Sequence, residues 1–535
     1  IGQSLRLADR SIGEASHLPA HELIPFLESI PLTSHQRPVA EPIFTEISSR
    51  INHLIALGIG TLPLNRASHT LSGGELQRLR LAAAMGSPLT GVLYLFDEPS
   101  AGLHPSDNRL VLKQIAKLKD AGNTVVVIEH DPSTIASCDQ IIEIGPGGGA
   151  EGGHVIFQGS ASSFSKSFGG ERLFEVHEST PRYHEGERTK AKSESEQTEP
   201  APAPAVLHIE GSCRTVKDLA LTVPLQRFVA IAGVSGAGKS TLLNDMLAKT
   251  ISEGRSSRGR GVETVFKNGG CFVRSTFDLG TLVSIDQTPI GSHSRSVPAS
   301  YLGIWDDIRK LFASTVEAKT LGWSASDFSF NAGRGRCATC GGLGTISLQM
   351  SFLSEASMTC EACDGARFID DITHIRYRGY SVNEVLSLSL NEARELFSAH
   401  KKIHRITALA CDLGLGYLTI GQRSSTLSGG EAQRIKLVQE LAQNRTRHTV
   451  YLLDEPTIGL HRADVRKLVS VLHTLVERGH SVLCIEHDLD LLMAADHVIE
   501  MGPGAAEAGG RVIFEGSPAG LRGGNTPWGR ELGRQ

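Results

Sequence analysis

No stretch of this 535-residue sequence reaches the roughly 18 to 20 uninterrupted apolar residues that a membrane-spanning helix requires. No membrane association is therefore expected. The opening residues, Ile1-Gly2-Gln3-Ser4, show no basic region leading into an apolar core, so the chain reads as cytoplasmic. A basic surplus is missing as well: 53 Lys and Arg stand against 58 Asp and Glu, a formal net charge of -5. That balance argues against a protein that coats nucleic acid uniformly and leaves room for a local basic face. Cysteine is scarce. Of nine, four form two Cys-x-x-Cys pairs, while Cys138, Cys213, Cys271, Cys411 and Cys484 are scattered singly. This is the usage of a metal site and not of a secreted disulfide framework.

What the sequence does contain is repetition. At roughly 100 to 200 residues per domain the length suggests three or more domains, and 40% apolar with 21% charged residues can build ordinary cores. Leu71-Ser72-Gly73-Gly74-Glu75 recurs 356 residues later as Leu427-Ser428-Gly429-Gly430-Glu431. Leu95-Phe96-Asp97-Glu98-Pro99 recurs as Leu452-Leu453-Asp454-Glu455-Pro456, and Ile128-Glu129-His130-Asp131 as Ile485-Glu486-His487-Asp488, each 357 residues on. Gly145-Pro146-Gly147 returns at the same interval as Gly502-Pro503-Gly504. Four motifs in one order at nearly one spacing mark two copies of one unit.

Residues 189–205 are rich in Lys, Glu, Ser and Pro and end Pro200-Ala201-Pro202-Ala203-Pro204-Ala205. Such a stretch cannot build a core and reads as an extended linker. The expected division is residues 1–178 as the C-terminal portion of a first unit, 179–205 as linker and 206–535 as a second unit. The short apolar runs at 91–96, 124–128, 449–453 and 481–485 read as buried parallel strands. Between them, 106–119 and 462–478 carry helical spacing, so strand and helix alternate as in a doubly wound α/β sheet.

Gly233-Val234-Ser235-Gly236-Ala237-Gly238-Lys239-Ser240-Thr241 fits the phosphate-loop pattern G-x-x-x-x-G-K-[ST], follows an apolar run at 228–232 and opens a helix at Thr241. Its glycines let backbone N–H groups approach ATP phosphates, Lys239 reaches the terminal phosphates and the Ser240 hydroxyl is placed for Mg²⁺. Asp454 and Glu455 end a strand, so Asp454 is expected to hold Mg²⁺ through water and Glu455 to orient and polarise the attacking water. His487, matched by His130 in the other copy, is expected at the γ-phosphate, and Gln287 in Val283-Ser284-Ile285-Asp286-Gln287 as a lining residue that senses Mg²⁺ or water.

Leu-Ser-Gly-Gly-Glu followed one residue later by Gln-Arg resembles the signature of ABC ATPases, and it occurs twice. In that family, resemblance implies, two halves pack head to tail and each signature closes over the ATP held by the other half. A helix N-terminus behind Ser-Gly-Gly supplies free N–H donors suited to a γ-phosphate. Ser72, Gly73 and Gly74 are thus expected over Lys239. The second site would join Asp97, Glu98 and His130 to Ser428, Gly429 and Gly430, yet no second G-x-x-x-x-G-K-[ST] occurs in these residues.

Cys337-x2-Cys340 and Cys360-x2-Cys363, nineteen residues apart and flanked by Gly341-Gly342 and Gly365, form a four-cysteine pattern for structural Zn²⁺ with no open coordination position. The alternative, two redox pairs, lacks the strand-then-helix placement that such pairs need. The expected architecture is therefore α/β: two ABC-type P-loop ATPase halves with helical signature subdomains and a zinc-binding insertion at 325–375. Ile285-Asp286-Gln287-Thr288-Pro289-Ile290-Gly291, Arg295-Ser296, Pro298-Ala299, Asp306-Asp307-Ile308-Arg309 and Phe328-Ser329-Phe330-Asn331 closely resemble the UvrA family, the damage-recognition ATPases of bacterial nucleotide excision repair.

That resemblance implies duplex DNA, damaged or drug-modified, as ligand, with Arg295, Arg309, Arg334, Arg336 and Arg367 around the zinc segment as candidate contacts. It also implies a homodimer, and a UvrB-like partner whose binding region the family places ahead of these residues. No nuclease activity is expected, since no acidic metal cluster remains once the ATPase carboxylates are assigned. The chain departs from the family pattern at Gly211-Ser212-Cys213-Arg214-Thr215-Val216, Ser292-His293-Ser294 and Ser354-Glu355-Ala356-Ser357. Those changes suit a UvrA-like paralog associated with resistance to DNA-directed drugs as well as a repair protein. A transporter motor, the third reading, has no use for the zinc insertion.

Overall fold

Parallel sheets are ordinarily covered on both faces, so what covers each side of a sheet decides how the two copies differ. The computed structural model describes residues 6–68, 71, 73–86, 89–100, 102–145, 152–164, 205–258, 264–291, 295–348, 356–443, 445–460, 462–504 and 509–533. The linker at 179–204, Ser72, Ser292 to Ser294, Ser354 and Glu355 lie outside them.

The first unit runs through helices α1 (Ala20–Glu28), α2 (Arg37–Ala56) and α3 (Gly73–Met85), the last carrying the signature. It continues with β1 (Leu93–Asp97), α4 (Pro105–Asp120), β2 (Thr124–Ile128), β3 (Gln140–Gly145) and β4 (His154–Ser160). The second unit opens with β5 (Val206–Cys213), β6 (Val216–Pro224) and β7 (Phe228–Gly233), then a π-helix over Thr241–Ala248. There follow β8 (Arg255–Arg258), β9 (Thr264–Asn268), β10 (Cys271–Ser275) and β11 (Thr281–Ile285), and the hairpin β12 (Thr345–Leu348) with β13 (Ala356–Thr359). It closes with α5 (Lys401–Asp412), α6 (Gly429–Ala442), β14 (Thr449–Asp454), α7 (Arg462–Glu477), β15 (Ser481–Ile485), β16 (His497–Gly502), β17 (Arg511–Gly516) and α8 (Pro527–Leu532).

The central sheet of the second unit has the order β11-β14-β15-β7-β16-β17. Its first five strands are parallel and β17 is antiparallel to β16. Side chains of β7 alternate between two cores. Phe228, Ala230 and Ala232 join Ile435, Val438, Leu468 and Leu472 on one face, while Val229 and Ile231 join Leu207, Leu221, Leu242 and Met246 on the other. The long α-helices thus cover one face. The other is covered by the π-helix and by an antiparallel sheet of order β8-β9-β10-β5-β6. Helices therefore lie on both faces of the parallel sheet, as expected, and the antiparallel sheet is an added layer: β6 alternates between buried and exposed positions along most of its length, the mark of a strand that packs by one face.

In the first unit β1 and β2 are parallel, as expected, but they are not buried on both faces. Tyr94, Phe96 and Val125 pack on Val111, Ile115 and Leu118 of α4. The opposite face is open: Leu95 is 70% exposed where its counterpart Leu452 is 1%, and Ile128 is 58% exposed where Ile485 is 0%. The physical reason is a missing layer. Among the described residues, no strand occupies the place between β2 and β3 that β7 fills between β15 and β16, and no antiparallel sheet lies over that face.

The units also share a feature outside the four repeated motifs. A two-stranded hairpin ends in a Ser-to-Glu capping box at Ser11 and Glu14 in the first unit, and again at Ser381 and Glu384 in the second. Each box satisfies two free helix-start N–H groups and fixes where the helical subdomain begins.

The unequal cover gives a stability test within one chain. Ile485→Ala should lower unfolding stability by about 2 to 5 kcal/mol, since it opens a cavity between two layers. Ile128→Ala, at the matching position, should cost less than about 1 kcal/mol. Urea unfolding curves of the two variants check the difference.

Candidate active site and metal centre

The phosphate loop leaves β7 at Gly233, whose φ of +143° and close approach to the Met501 carbonyl leave no room for a Cβ. Gly236 and Gly238 also have positive φ, +76° and +99°, so the loop can turn its N–H groups inward. Lys239 is buried, and its Nζ donates to the carbonyls of Gly233 at 2.9 Å and Val234 at 3.0 Å. Burial pulls its pKa down, against the opposing charges of Glu455, Asp107 and Asp454. Ser240 stands at the head of the π-helix that begins at Thr241.

Asp454 ends β14, and burial raises its pKa while Lys239 lowers it. Glu455 follows in left-handed backbone, φ +50°, a costly conformation for a residue with a side chain. Burial raises its pKa strongly, with Lys239 opposing. His487 Nε2 lies 3.6 Å from Glu455 Oε1, and burial pushes the pKa of this imidazole well down. Gln287 Nε2 is 3.5 Å from the Glu455 carbonyl. The structure therefore brings Lys239, Asp454, Glu455, His487 and Gln287 to one place at the C-terminal ends of parallel strands, where ligands of open α/β sheets bind.

The first unit repeats the arrangement. Glu98 has φ +46°, and His130 Nε2 lies 3.5 Å from Glu98 Oε1. Gln77 donates to the Asp97 carbonyl at 2.6 Å and Gln433 to the Asp454 carbonyl at 2.9 Å. Glu129 accepts the Ser100 N–H as Glu486 accepts that of Thr457. The environments differ. His130 has a side chain 46% exposed against 8% for His487, and its bond to Glu98 raises its pKa instead. Ser428 caps α6 with its hydroxyl while Glu431 returns the bond, and Gly429 packs against Gln287.

Three residues of this region, His104, Asp107 and Trp528, belong to none of the sequence motifs, and a fourth, Arg78, belongs to the signature without any sign of what it touches. Arg78, in the Gln-Arg pair of the first signature, is buried and donates from Nη2 to Ser235 Oγ of the phosphate loop at 2.9 Å. Asp107 accepts the Ser235 N–H at 3.4 Å. Gly102 brings its backbone against the Glu455 carboxylate, and in the mirror relation Gly459 brings its own near Glu98. Arg78 and Asp107 do have counterparts at Arg434 and Asp464, which a search for matched charge pairs would find.

The Sγ atoms of Cys337, Cys340, Cys360 and Cys363 all lie within 4.8 Å of one another, with those of Cys340 and Cys363 3.7 Å apart. Tetrahedral thiolates about 2.3 Å from zinc sit about 3.8 Å from each other, so the cluster fits that ion. Gly344 N–H donates to Cys340 Sγ at 3.2 Å. The hairpin is held by Cys337 N–H to the Arg367 carbonyl and Cys360 N–H to the Gly344 carbonyl, both 3.0 Å. Arg367 stacks 5.6 Å over Phe330 and donates to the Gly421 carbonyl at 2.8 Å. Arg423 donates to the Leu343 carbonyl at 2.8 Å.

Of the other arginines, Arg309 donates to the Ala325 carbonyl at 3.1 Å and to Asp306. Arg334 binds Asp327 Oδ1 at 3.1 Å and lies 4.6 Å over Trp323. Arg336 donates to the Asn331 carbonyl at 3.0 Å, and Arg295 approaches Gly341. These side chains tie the insertion together.

No family model matches the chain. It is 42% identical over 534 residues to UvrABC system protein A of Thermus thermophilus, covering 99% of this chain and 54% of that protein. It is 42% identical over 509 residues to the protein of the same name from Micrococcus luteus, covering 95% and 50%. The crystal structure of UvrA2 from Deinococcus radiodurans superposes with a TM-score of 0.87 at 35% identity, over 100% of this chain and 64% of that one. The chain spans about half the length of the curated relatives it matches.

The cysteine geometry predicts one tightly held Zn²⁺ per chain. Replacing Cys360 with Ser should lower metal content measured by mass spectrometry after dialysis and expose the remaining thiols, with ATP affinity unchanged, because the ligands serve folding of the insertion.

Proposed function

We propose that this chain, homologous to the UvrA family along its whole length and to about half the length of those proteins, hydrolyses ATP at a site shared by its two units and couples that reaction to binding duplex DNA. The observation that carries the reading is the meeting of Arg78 and Asp107 of the first unit with Ser235 of the second unit's phosphate loop. It supports a head-to-tail arrangement in which Ser72, Gly73 and Gly74 close over ATP phosphates held by Gly233, Ser235, Gly236, Gly238, Lys239 and Thr241.

Within that site the loop N–H groups and Lys239 neutralise phosphate charge, and Ser240 with Asp454 would hold Mg²⁺, which supplies charge neutralisation at the phosphates. Glu455 polarises the attacking water and takes up its proton; desolvation of its carboxylate raises its basicity. His487 orients Glu455 and contacts the γ-phosphate, and Gln287 lines the same space. The second site, with Asp97, Glu98, His130, Ser428, Gly429 and Gly430, has no phosphate loop in these 535 residues, so the chain completes one site.

For DNA, the reading is a damage-recognition protein of the UvrA type, with a UvrB-like partner and self-association as parts of the same proposal. A paralog protecting against DNA-directed compounds is the second reading, and the departures at Gly211 to Val216, Ser292 to Ser294 and Ser354 to Ser357 favour it. A comparison of damaged, drug-modified and unmodified duplex separates them. Among the described residues no helix is long and apolar enough to cross a membrane.

Glu455→Gln should bind one ATP per chain by calorimetry and hydrolyse it at least about 100-fold more slowly, since the general base is lost. Lys239→Ala should lose binding, and Ser72→Arg should keep binding while impairing hydrolysis. Two equal nucleotide sites, or full activity of Ser72→Arg, would refute the shared arrangement. Duplex affinity should fall steeply with salt, and neutralising Arg295 and Arg336 to Gln should flatten the log-log slope by roughly 2, at about 0.9 per phosphate contact. Binding that ignores salt would exclude the arginine contacts.

A further inference from the structure

Trp528 of α8 is fully buried between a histidine of each unit. Its ring meets His104 edge-on, centroids 4.6 Å apart at 75°, and lies 6.4 Å from His487 at 39°. The Trp528 backbone N–H donates to Glu500 Oε1 at 2.9 Å, which anchors α8 to β16 beside the phosphate-loop strand. One turn further along α8, Glu531 accepts both terminal nitrogens of Arg109, at 3.0 and 2.6 Å. His104 and Arg109 both belong to the start of α4. His104 caps that helix, accepting the Ser106 N–H at 3.2 Å, and the same turn carries Asp107, which holds Ser235.

We infer that α8 is a positioning element: through Trp528 and Glu531 it clamps α4 of the first unit beside His487, so that docking of one unit sets the histidine of the other against Glu455. The inference rests on the hydrolytic reading above. Two physical points support it. A bidentate Arg-to-carboxylate pair fixes orientation as well as distance, so α4 is held in register and not merely attracted. The ring nitrogens His104 Nε2, His487 Nδ1 and Trp528 Nε1 are all buried without a hydrogen-bond partner. Such atoms are costly to bury, so the rings stay together only because the packing around them encloses all three. Trp528 and Glu531 contact neither phosphate nor water in this scheme; they act through His487 and α4.

The test is a charge exchange in the 535-residue chain with steady-state ATP hydrolysis as readout. Arg109→Glu and Glu531→Arg should each lower kcat by roughly threefold to tenfold with KM for ATP within about twofold, and the double exchange should recover most of the loss. Trp528→Phe should retain more kcat than Trp528→Leu at equal ATP affinity, because a ring edge still meets His104 and His487. Single exchanges with wild-type kcat, or a double variant no better than either single, would overturn the clamp while leaving the hydrolytic site standing. A wild-type chain that hydrolyses no ATP would overturn both readings.

Discussion

The dry interior of the β11-β14-β15-β7-β16 sheet governs everything built at its edge. Parallel strands with both faces covered by apolar side chains remove water from their C-terminal ends as well, and there the chain places Lys239, Asp454, Glu455, Glu486 and His487. Desolvation pushes the carboxyl pKa values up and those of Lys239 and His487 down. Groups that water would hold in fixed charge states are thereby left responsive to a phosphate and to each other. The left-handed backbone of Glu455 belongs to the same constraint, because a strained turn persists only where the surrounding layers leave no alternative.

The first unit carries the same residues without that enclosure. Glu98 and His130 keep the spacing and the backbone strain of Glu455 and His487, but the open face beside β1 and β2 leaves His130 half exposed. Identical motifs thus take opposite pKa directions, His130 up and His487 down. What the first unit contributes is contact: Arg78 from the signature helix and Asp107 from α4 reach the phosphate loop of the second unit. The asymmetry is what the proposed division of tasks requires, one copy holding phosphates and the other closing on them.

The cysteine cluster is a separate device. Four thiols brought to within 4.8 Å on two glycine-supported turns replace the apolar core that so short an insertion cannot build. Arginines around it serve first as struts, bonding to carbonyls of Gly421, Leu343, Ala325 and Asn331. A side chain tied down in this way is pre-oriented, so any phosphate it meets costs less ordering.

Local chemistry was legible from residues alone. The phosphate loop, the Asp-Glu pair ending each strand, the signature and the four cysteines depend on fixed spacing within a few residues, and spacing survives in a linear sequence. The repeat was legible because both copies keep one interval. Three things were not. The antiparallel cover of β7 could not be separated from a helical one, since a short apolar strand reads alike under either layer. Exposure of β1 and β2 depends on which layers lie over them, and the sequence of a strand records only that it could be buried. The contacts of Arg78, His104, Asp107 and Trp528 join residues far apart in the chain, as do those from Arg109 to Glu531. Long-range juxtaposition is decided by packing and leaves no periodicity to read.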